Sequence, residues 1–222
     1  DALEIIRSVG GEAQWAGPSL VLNGSKLNSY EISYEIGFRQ EASVLLIGPL
    51  LFRFGKAKIP KYEEFERTGL LDKLIDTWEY FGVKVKQDEK YYTLNGEDMT
   101  NGSIIFKRPT HIGTDNAILS SIFIGGETSI SNVSEESEID DLIDFINLMG
   151  GNVSRIGPKE IRVVGSNIFK GTRFTICPDK TEVVMFAVSA AITNGNVLIK
   201  GIQKEPLIPL VNFLDKAGVK FE

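Results

Sequence analysis

The chain has 222 residues, 42% of them hydrophobic, and carries 30 Asp and Glu against 24 Lys and Arg, a net charge of −6. That balance argues against a nucleic-acid partner, which calls for a basic face. No apolar run reaches the roughly 18 residues that a membrane span needs. Cys177 is the single cysteine, so no intrachain disulfide can form, which fits a reducing compartment, most simply the cytoplasm.

The opening DALEIIRSVGGEA has no initiator Met and reads as the interior of a helix, so the start of the protein is expected upstream. It closes on Gly10 and runs into a strand. ASVLLIGPLLFRFG has almost no polar face and predicts a helix buried on all sides, ending at Gly55 and followed by the strand KAKIP. The charged stretch IPKYEEFERTGLLDKL leads into a second helix, DKLIDTWEYFG, ending at Gly82, and YYTL from Tyr91 to Leu94 reads as a closing strand.

PTHIGTDN then opens another apolar helix, DNAILSSIFIGG, with Thr110 or Thr114 as its cap. Its Ser120 and Ser121 are small enough for close helix approach, and TSISNV follows as a strand. In DDLIDFINLMG, ending at Gly150, the apolar Leu142, Ile143, Ile146 and Met149 recur at three- and four-residue steps, one face of a helix. GNVSRIGPKEIRVVG reads as a hairpin. PDKTEV starts a third apolar helix, TEVVMFAVSAAITNG, with Pro178, Asp179 and Glu182 favouring its initiation. The strand NVLIKGI and the helix-strand segment PLVNFLDKAGVKF, turning at Gly218, complete the chain. Cys177 is expected in a buried strand.

Four helix-glycine-strand segments therefore recur, with Gly10, Gly82, Gly150 and Gly218 at steps of 72, 68 and 68 residues. Asp72, Leu74, Ile75 and Asp76 match Asp140, Leu142, Ile143 and Asp144 without a gap. The period predicts an α/β (α+β) fold of repeated βαβαββ units, an inside-out α/β barrel with buried helices and outer sheets. The first unit is partial, up to about Ile36; the next two are complete, and the fourth stops at Glu222.

This period and the phrases ASVLLIGPLLFRFGKAKIP, PTHIGTDN, NVSEESEIDDLIDFINLMGGNV and ICPDKTEVVMFAVSAAITNG resemble the enolpyruvyl transferases, most nearly those acting on UDP-N-acetylglucosamine. The resemblance implies that residues 1–167 form most of a first domain and 168–222 begin a second. It implies UDP-N-acetylglucosamine and phosphoenolpyruvate as substrates, no cofactor and no metal. A divergent, non-catalytic nucleotide-sugar-binding or scaffold protein, or a transferase with another acceptor, stays open beside that reading.

The same resemblance proposes the site. An arginine of the family falls on Glu41, with Arg39 two residues earlier. The family's loop cysteine falls near Glu63 or Glu64, so Glu64 is the candidate acid. Arg67 lies near a loop arginine, and Asp72 falls on a loop aspartate. Thr110, His111 and Ile112 lie where the family approaches the nucleotide, with Asn116 matching an asparagine. Asp179 and Lys180 match the phrase that opens the second domain. The bland readings are solvated charges at Arg39, Glu41 and the loop, and helix capping at Thr110 and Asp179. His111, the one histidine, is expected as a simple polar residue. The family's Lys-Asn pair would precede Asp1, and its base aspartate would follow Glu222. The chain by itself is therefore expected not to complete the reaction.

Overall fold

The computed structural model describes residues 2–62, 70–202 and 207–221, and only the backbone of residues 70–73. It divides into two compact units, residues 1–172 and 173–222.

Unit one opens with helix α1 (Ala2–Ser8) and the hairpin β1 (Glu12–Ala16) and β2 (Ser19–Asn23). A short helix, α2 (Tyr34–Gly37), leads into the first apolar segment. That segment is not one helix. Residues Glu41–Leu46 form a 3-10 turn and α3 spans Ile47–Phe54. Pro49 explains the break, because proline has no N–H to donate and is tolerated only in the first turn of an α-helix. Gly55, at φ 70°, ends α3.

Strand β3 (Lys56–Pro60) follows, then helix α4 (Leu70–Tyr80), β4 (Lys84–Gln87) and β5 (Tyr91–Asn95). The third segment runs β6 (Ser103–Ile105), α5 (His111–Ser121), β7 (Glu127–Ser131), α6 (Ser137–Leu148), β8 (Asn152–Gly157) and β9 (Glu160–Val164). This is a complete βαβαββ unit. Its sheet order is β6-β7-β9-β8, with β6 parallel to β7 and the other pairs antiparallel.

The preceding segment repeats the plan. Its sheet order is β3-β5-β4, and Glu31 forms a parallel bridge to Lys58 on the outer side of β3. Ile32 N donates to Lys58 O at 3.0 Å and Lys58 N to Tyr30 O at 2.8 Å, so residues 30–32 take the place that β6 holds in the next unit.

The four repeat glycines share one local structure. Gly10, Gly82, Gly150 and Gly218 have φ of 89°, 81°, 101° and 76°. Each donates to the carbonyl three residues back (Arg7, Glu79, Asn147, Asp215), and the next residue donates five back (Ile6, Trp78, Ile146, Leu214). This double bond is the Schellman termination, and its left-handed residue is most easily glycine.

The core of unit one joins both segments: Ile32, Ile47, Trp78, Phe81, Leu94, Ile118, Ile130 and Ile161 are almost fully buried. Helix α5 is buried on most of its circumference, including Gly113, Thr114, Asn116, Ser120 and Ser121. Polar groups survive there by bonding to their own helix. Thr114 Oγ1 donates to Thr110 O at 2.7 Å, Asn116 Nδ2 to Ile112 O at 2.9 Å and Ser121 Oγ to Ala117 O at 2.6 Å. Such back-bonding satisfies a hydroxyl without a partner on another element. Helix α6 is amphipathic as expected, with Ile139, Ile143 and Ile146 buried and Leu142 and Met149 half-buried.

Unit two departs from the sequence expectations. Helix α7 (Lys180–Ile192) forms, but only Val183 in it is buried, and Met185, Phe186 and Ile192 are exposed. Helix α8 (Ile208–Lys216) also lies in this unit. An apolar helix is buried only where neighbouring elements cover it, and the described residues leave most of α7 uncovered. NVLIKGI and GVKF are irregular rather than strands, because no ladder partner lies beside them among the described residues. Cys177 is half-buried in irregular chain, not in a strand, for the same reason.

A Cβ added at Gly48 of α3 would lie 2.5 Å from Leu119 O and 2.8 Å from Ser120 Cα, both backbone atoms of α5. Gly48→Ala must therefore push two buried helices apart, and urea unfolding should show a loss of about 1–3 kcal/mol. An unchanged midpoint would mean that the helices are not in direct contact there.

Candidate functional site

The N-terminus of α5 gathers three of the residues singled out by sequence, and two that were not. Thr110 is the N-cap, its hydroxyl accepting from Gly113 N at 3.4 Å. Of the two capping candidates the structure uses Thr110, and Thr114 instead joins two elements. Thr114 Oγ1 accepts from Ser134 N at 3.1 Å, tying the β7–α6 connection to α5. Asn132, at φ 57°, makes a second tie by donating Nδ2 to Phe106 O at 2.8 Å.

These ties bring Glu136, the N-cap residue of α6, onto His111. His111 Nδ1 contacts Glu136 Oε2, while Nε2 lies 3.3 Å from Asp115 Oδ2 one helical turn on. His111 therefore has a carboxylate beside each of its ring nitrogens. It sits between two carboxylates at the start of a buried helix. The i,i+4 spacing to Asp115 is a signal the sequence carries. The contact to Glu136 is set by the fold and has no local signature.

Burial pushes the Asp115 carboxyl up to about 6. His111 works against that rise, and the Glu136 and Glu138 charges add to it. The contacts are satisfied by two proton arrangements. An imidazolium can donate to both carboxylates, or a neutral imidazole can donate to Glu136 and accept from a protonated Asp115. The cluster can therefore hold or move a proton between Asp115 Oδ2 and His111 Nε2. The same helix start presents backbone N–H groups and a partial positive charge, the usual features of an anion site. Two or three carboxylates around it oppose an anion unless His111 is charged.

Asn116 lies one turn inside, fully buried, with Oδ1 lacking a hydrogen-bond partner. Ile112, half-buried, is on the first turn with His111. Arg39 and Glu41 flank the start of the 3-10 turn, which packs on α5. Both are exposed. The Arg39 guanidinium sits 4.8 Å from the centroid of the Phe38 ring, which stacks on Tyr34 at 5.0 Å. Glu63, Glu64 and Arg67 lie outside the described residues. Asp72 is in α4, with only its backbone described. In unit two, Asp179 is the N-cap of α7, accepting from Thr181 N at 2.7 Å and Glu182 N at 3.4 Å, as its helix-start reading implied. Lys180 is the first residue of that helix. Among the described residues no cluster of three or more His, Cys, Asp and Glu is arranged to hold a metal ion. No described helix is long and apolar enough to cross a membrane.

The sequence signature of the EPSP synthase (3-phosphoshikimate 1-carboxyvinyltransferase) family matches residues 1–222. The chain belongs to this family. Among curated relatives, the UDP-N-acetylglucosamine 1-carboxyvinyltransferase 2 of Carboxydothermus hydrogenoformans is 28% identical over 98% of this chain and 52% of its own length. The UDP-N-acetylglucosamine 1-carboxyvinyltransferase 1 of Caldanaerobacter subterraneus subsp. tengcongensis is 30% identical over 98% of this chain and 52% of its own. The chain thus spans about half the length of the curated relatives it matches. The enolpyruvyl transferase NikO from Streptomyces tendae shares the fold, with a TM-score of 0.82 over 96% of this chain and 52% of NikO, at 19% identity. An EPSP synthase from Acinetobacter baumannii superimposes at 0.72 over 97% of this chain and 50% of its own, at 15% identity.

The Asp115 carboxyl makes a signed prediction. Its ordinary value is 3.8 and its native value about 6. Between these the folded protein keeps a proton that the unfolded chain has released. The stabilisation is complete below pH 3.8 and is lost as pH rises through 6. Relative to Asp115→Asn, the native protein should lose on the order of 2 kcal/mol between pH 4 and 6.5. Urea unfolding across that range checks this, and parallel profiles for the two proteins would contradict it.

Proposed function

We propose that this chain supplies about half of an enolpyruvyl transferase that moves the enolpyruvyl group of phosphoenolpyruvate onto a hydroxyl of UDP-N-acetylglucosamine, releasing phosphate. The observation that carries the reading is the match along nearly the whole chain to proteins named for that reaction. It is supported by the α5 N-terminus, where an anionic nucleotide would meet backbone N–H groups beside His111. On this reading Thr110, His111 and Ile112 receive the nucleotide diphosphate. Displacement of Glu136 from His111 frees the imidazole for it.

By the same resemblance, Arg39, Arg67, Asp72, Asp179 and Lys180 are the remaining substrate-binding candidates, and Glu64 is the candidate acid for the methylene carbon. On this reading the apolar helices of unit one lie inside and its sheets outside, as in an inside-out barrel. The reaction is the first committed step of peptidoglycan synthesis and takes place in the cytoplasm.

One observation favours a second reading. Glu41 stands where the resemblance calls for an arginine, and it is exposed at the start of the 3-10 turn rather than neutralised by Arg39, which rests on Phe38. A carboxylate there repels an anionic substrate and favours a different acceptor, or binding without turnover.

The test compares this polypeptide with the product of the full reading frame that contains it, each given phosphoenolpyruvate and UDP-N-acetylglucosamine. The expected result is phosphate release by the full product and none by these 222 residues alone. Release dependent on another acceptor would support the second reading. A full product inactive with every acceptor, or turnover by the short chain, would overturn the proposal.

A further inference from the structure

One imidazole joins two elements. Asp115 lies on α5 with His111, and Glu136 comes from the start of α6. Nε2 is 3.3 Å from Asp115 Oδ2, and Nδ1 contacts Glu136 Oε2. A ring nitrogen and a carboxylate oxygen hold together only with a proton between them. The two contacts therefore need two protons. An imidazolium supplies both, and so does a neutral ring beside a protonated Asp115. When one proton leaves, a neutral ring with a single N–H faces two anions. One contact then sets a bare nitrogen lone pair against a carboxylate, and that contact opens.

Burial decides which one. The Asp115 side chain is 14% exposed and that of Glu136 is 45% exposed. An ionised Asp115 without a donor would be a buried unpaired charge, whereas Glu136 can turn into water. The remaining N–H stays on Nε2, and Glu136 is released. The backbone on both sides of Glu136 is held independently of His111. Ser134 N donates to Thr114 Oγ1 at 3.1 Å, Arg155 Nη1 to Ser134 O at 3.3 Å, and Ile139 N to Glu136 O at 3.1 Å. The Glu136 side chain makes no capping bond to α6. Opening is thus a rotation of one side chain, with the connection left in place.

The surrounding charges leave this balance alone. Those that bear on Asp115 are His111, Glu136 and Glu138. Arg155 and Lys159, on the β8–β9 hairpin, are paired with Asp140 and Glu135. Glu41, Arg53, Asp76, Glu79, Glu127, Glu160 and Arg162, on the other elements packed around α5, are exposed, as are Lys107 and Arg108 before it.

We infer that His111 is a pH-operated latch between α5 and α6, closed on Glu136 in acid and opened, with one proton released to water, as pH rises. Burial raises the Asp115 carboxyl to about 6, so the cluster gives up its shared proton above the ordinary carboxylate range. The latch does not rest on the reaction proposed above.

His111 is the only histidine, so the imidazole nitrogens of the untagged ¹⁵N-labelled chain report on it alone. The neutral ring that appears as pH rises from about 5 to about 8, the range in which histidine titrates, should carry its proton on Nε2. The Glu136 and Ser137 amides should shift with the same midpoint. In Asp115→Asn the side-chain amide can donate to Nε2, so the neutral ring should keep its proton on Nδ1 and those amides should stay still. Glu136→Gln changes an exposed position, and its amide can turn to pair with Nδ1 in either state. The ring should then titrate without moving the amides at 136 and 137. A neutral wild-type ring protonated on Nδ1, the same tautomer in wild type and Asp115→Asn, or amides that move equally in Glu136→Gln would each overturn the latch.

Discussion

Unit one depends on the direct contact between α3 and α5. With glycine at position 48, the backbone of one helix rests on Leu119 and Ser120 of the other, leaving no room for even a methyl group. Contact this close requires small residues on both sides, and small residues in a buried helix here mean serine, threonine and asparagine as well as alanine. Their polar atoms are acceptable because most fold back onto carbonyls of the same helix. The result is a largely buried helix, α5, whose two ends differ. One end is closed by the β7–α6 connection and carries a histidine between carboxylates. The other runs out to Phe123, whose ring stacks on Phe52 of α3 at 4.4 Å.

The second constraint is repetition. The same Schellman turn ends α1, α4, α6 and α8, and the two segments that follow one another in unit one share a sheet order and a parallel edge pair. In each, an amphipathic helix covers a sheet, and the glycine turns the chain directly into the closing strand. A left-handed residue at one fixed place per period is what allows a helix and a strand to be joined by so short a turn.

Much of this was legible from residues. The glycine period gave the repeat, and EIRVVG, YYTL and KAKIP are strands where they read as strands. Failures fell where local pattern depends on distant partners. TEVVMFAVSAAITNG is apolar enough for all-round burial, yet burial is a property of neighbours, and in unit two α7 stays largely exposed. NVLIKGI has the composition of a strand but no strand to pair with. At the site, the capping role of Thr110 was one of two local options. The pairing of His111 with Glu136 arises from a long-range fold of the β7–α6 connection, which no short motif records.

We propose that the nucleotide is recognised at the first turn of α5. The most direct measurement is the amide spectrum of the ¹⁵N-labelled chain during addition of UDP-N-acetylglucosamine. Saturable shifts centred on His111, Ile112 and Gly113, with accompanying changes at Glu136, are the expected result. Shifts confined to other parts of the chain, with this turn unmoved, would contradict it.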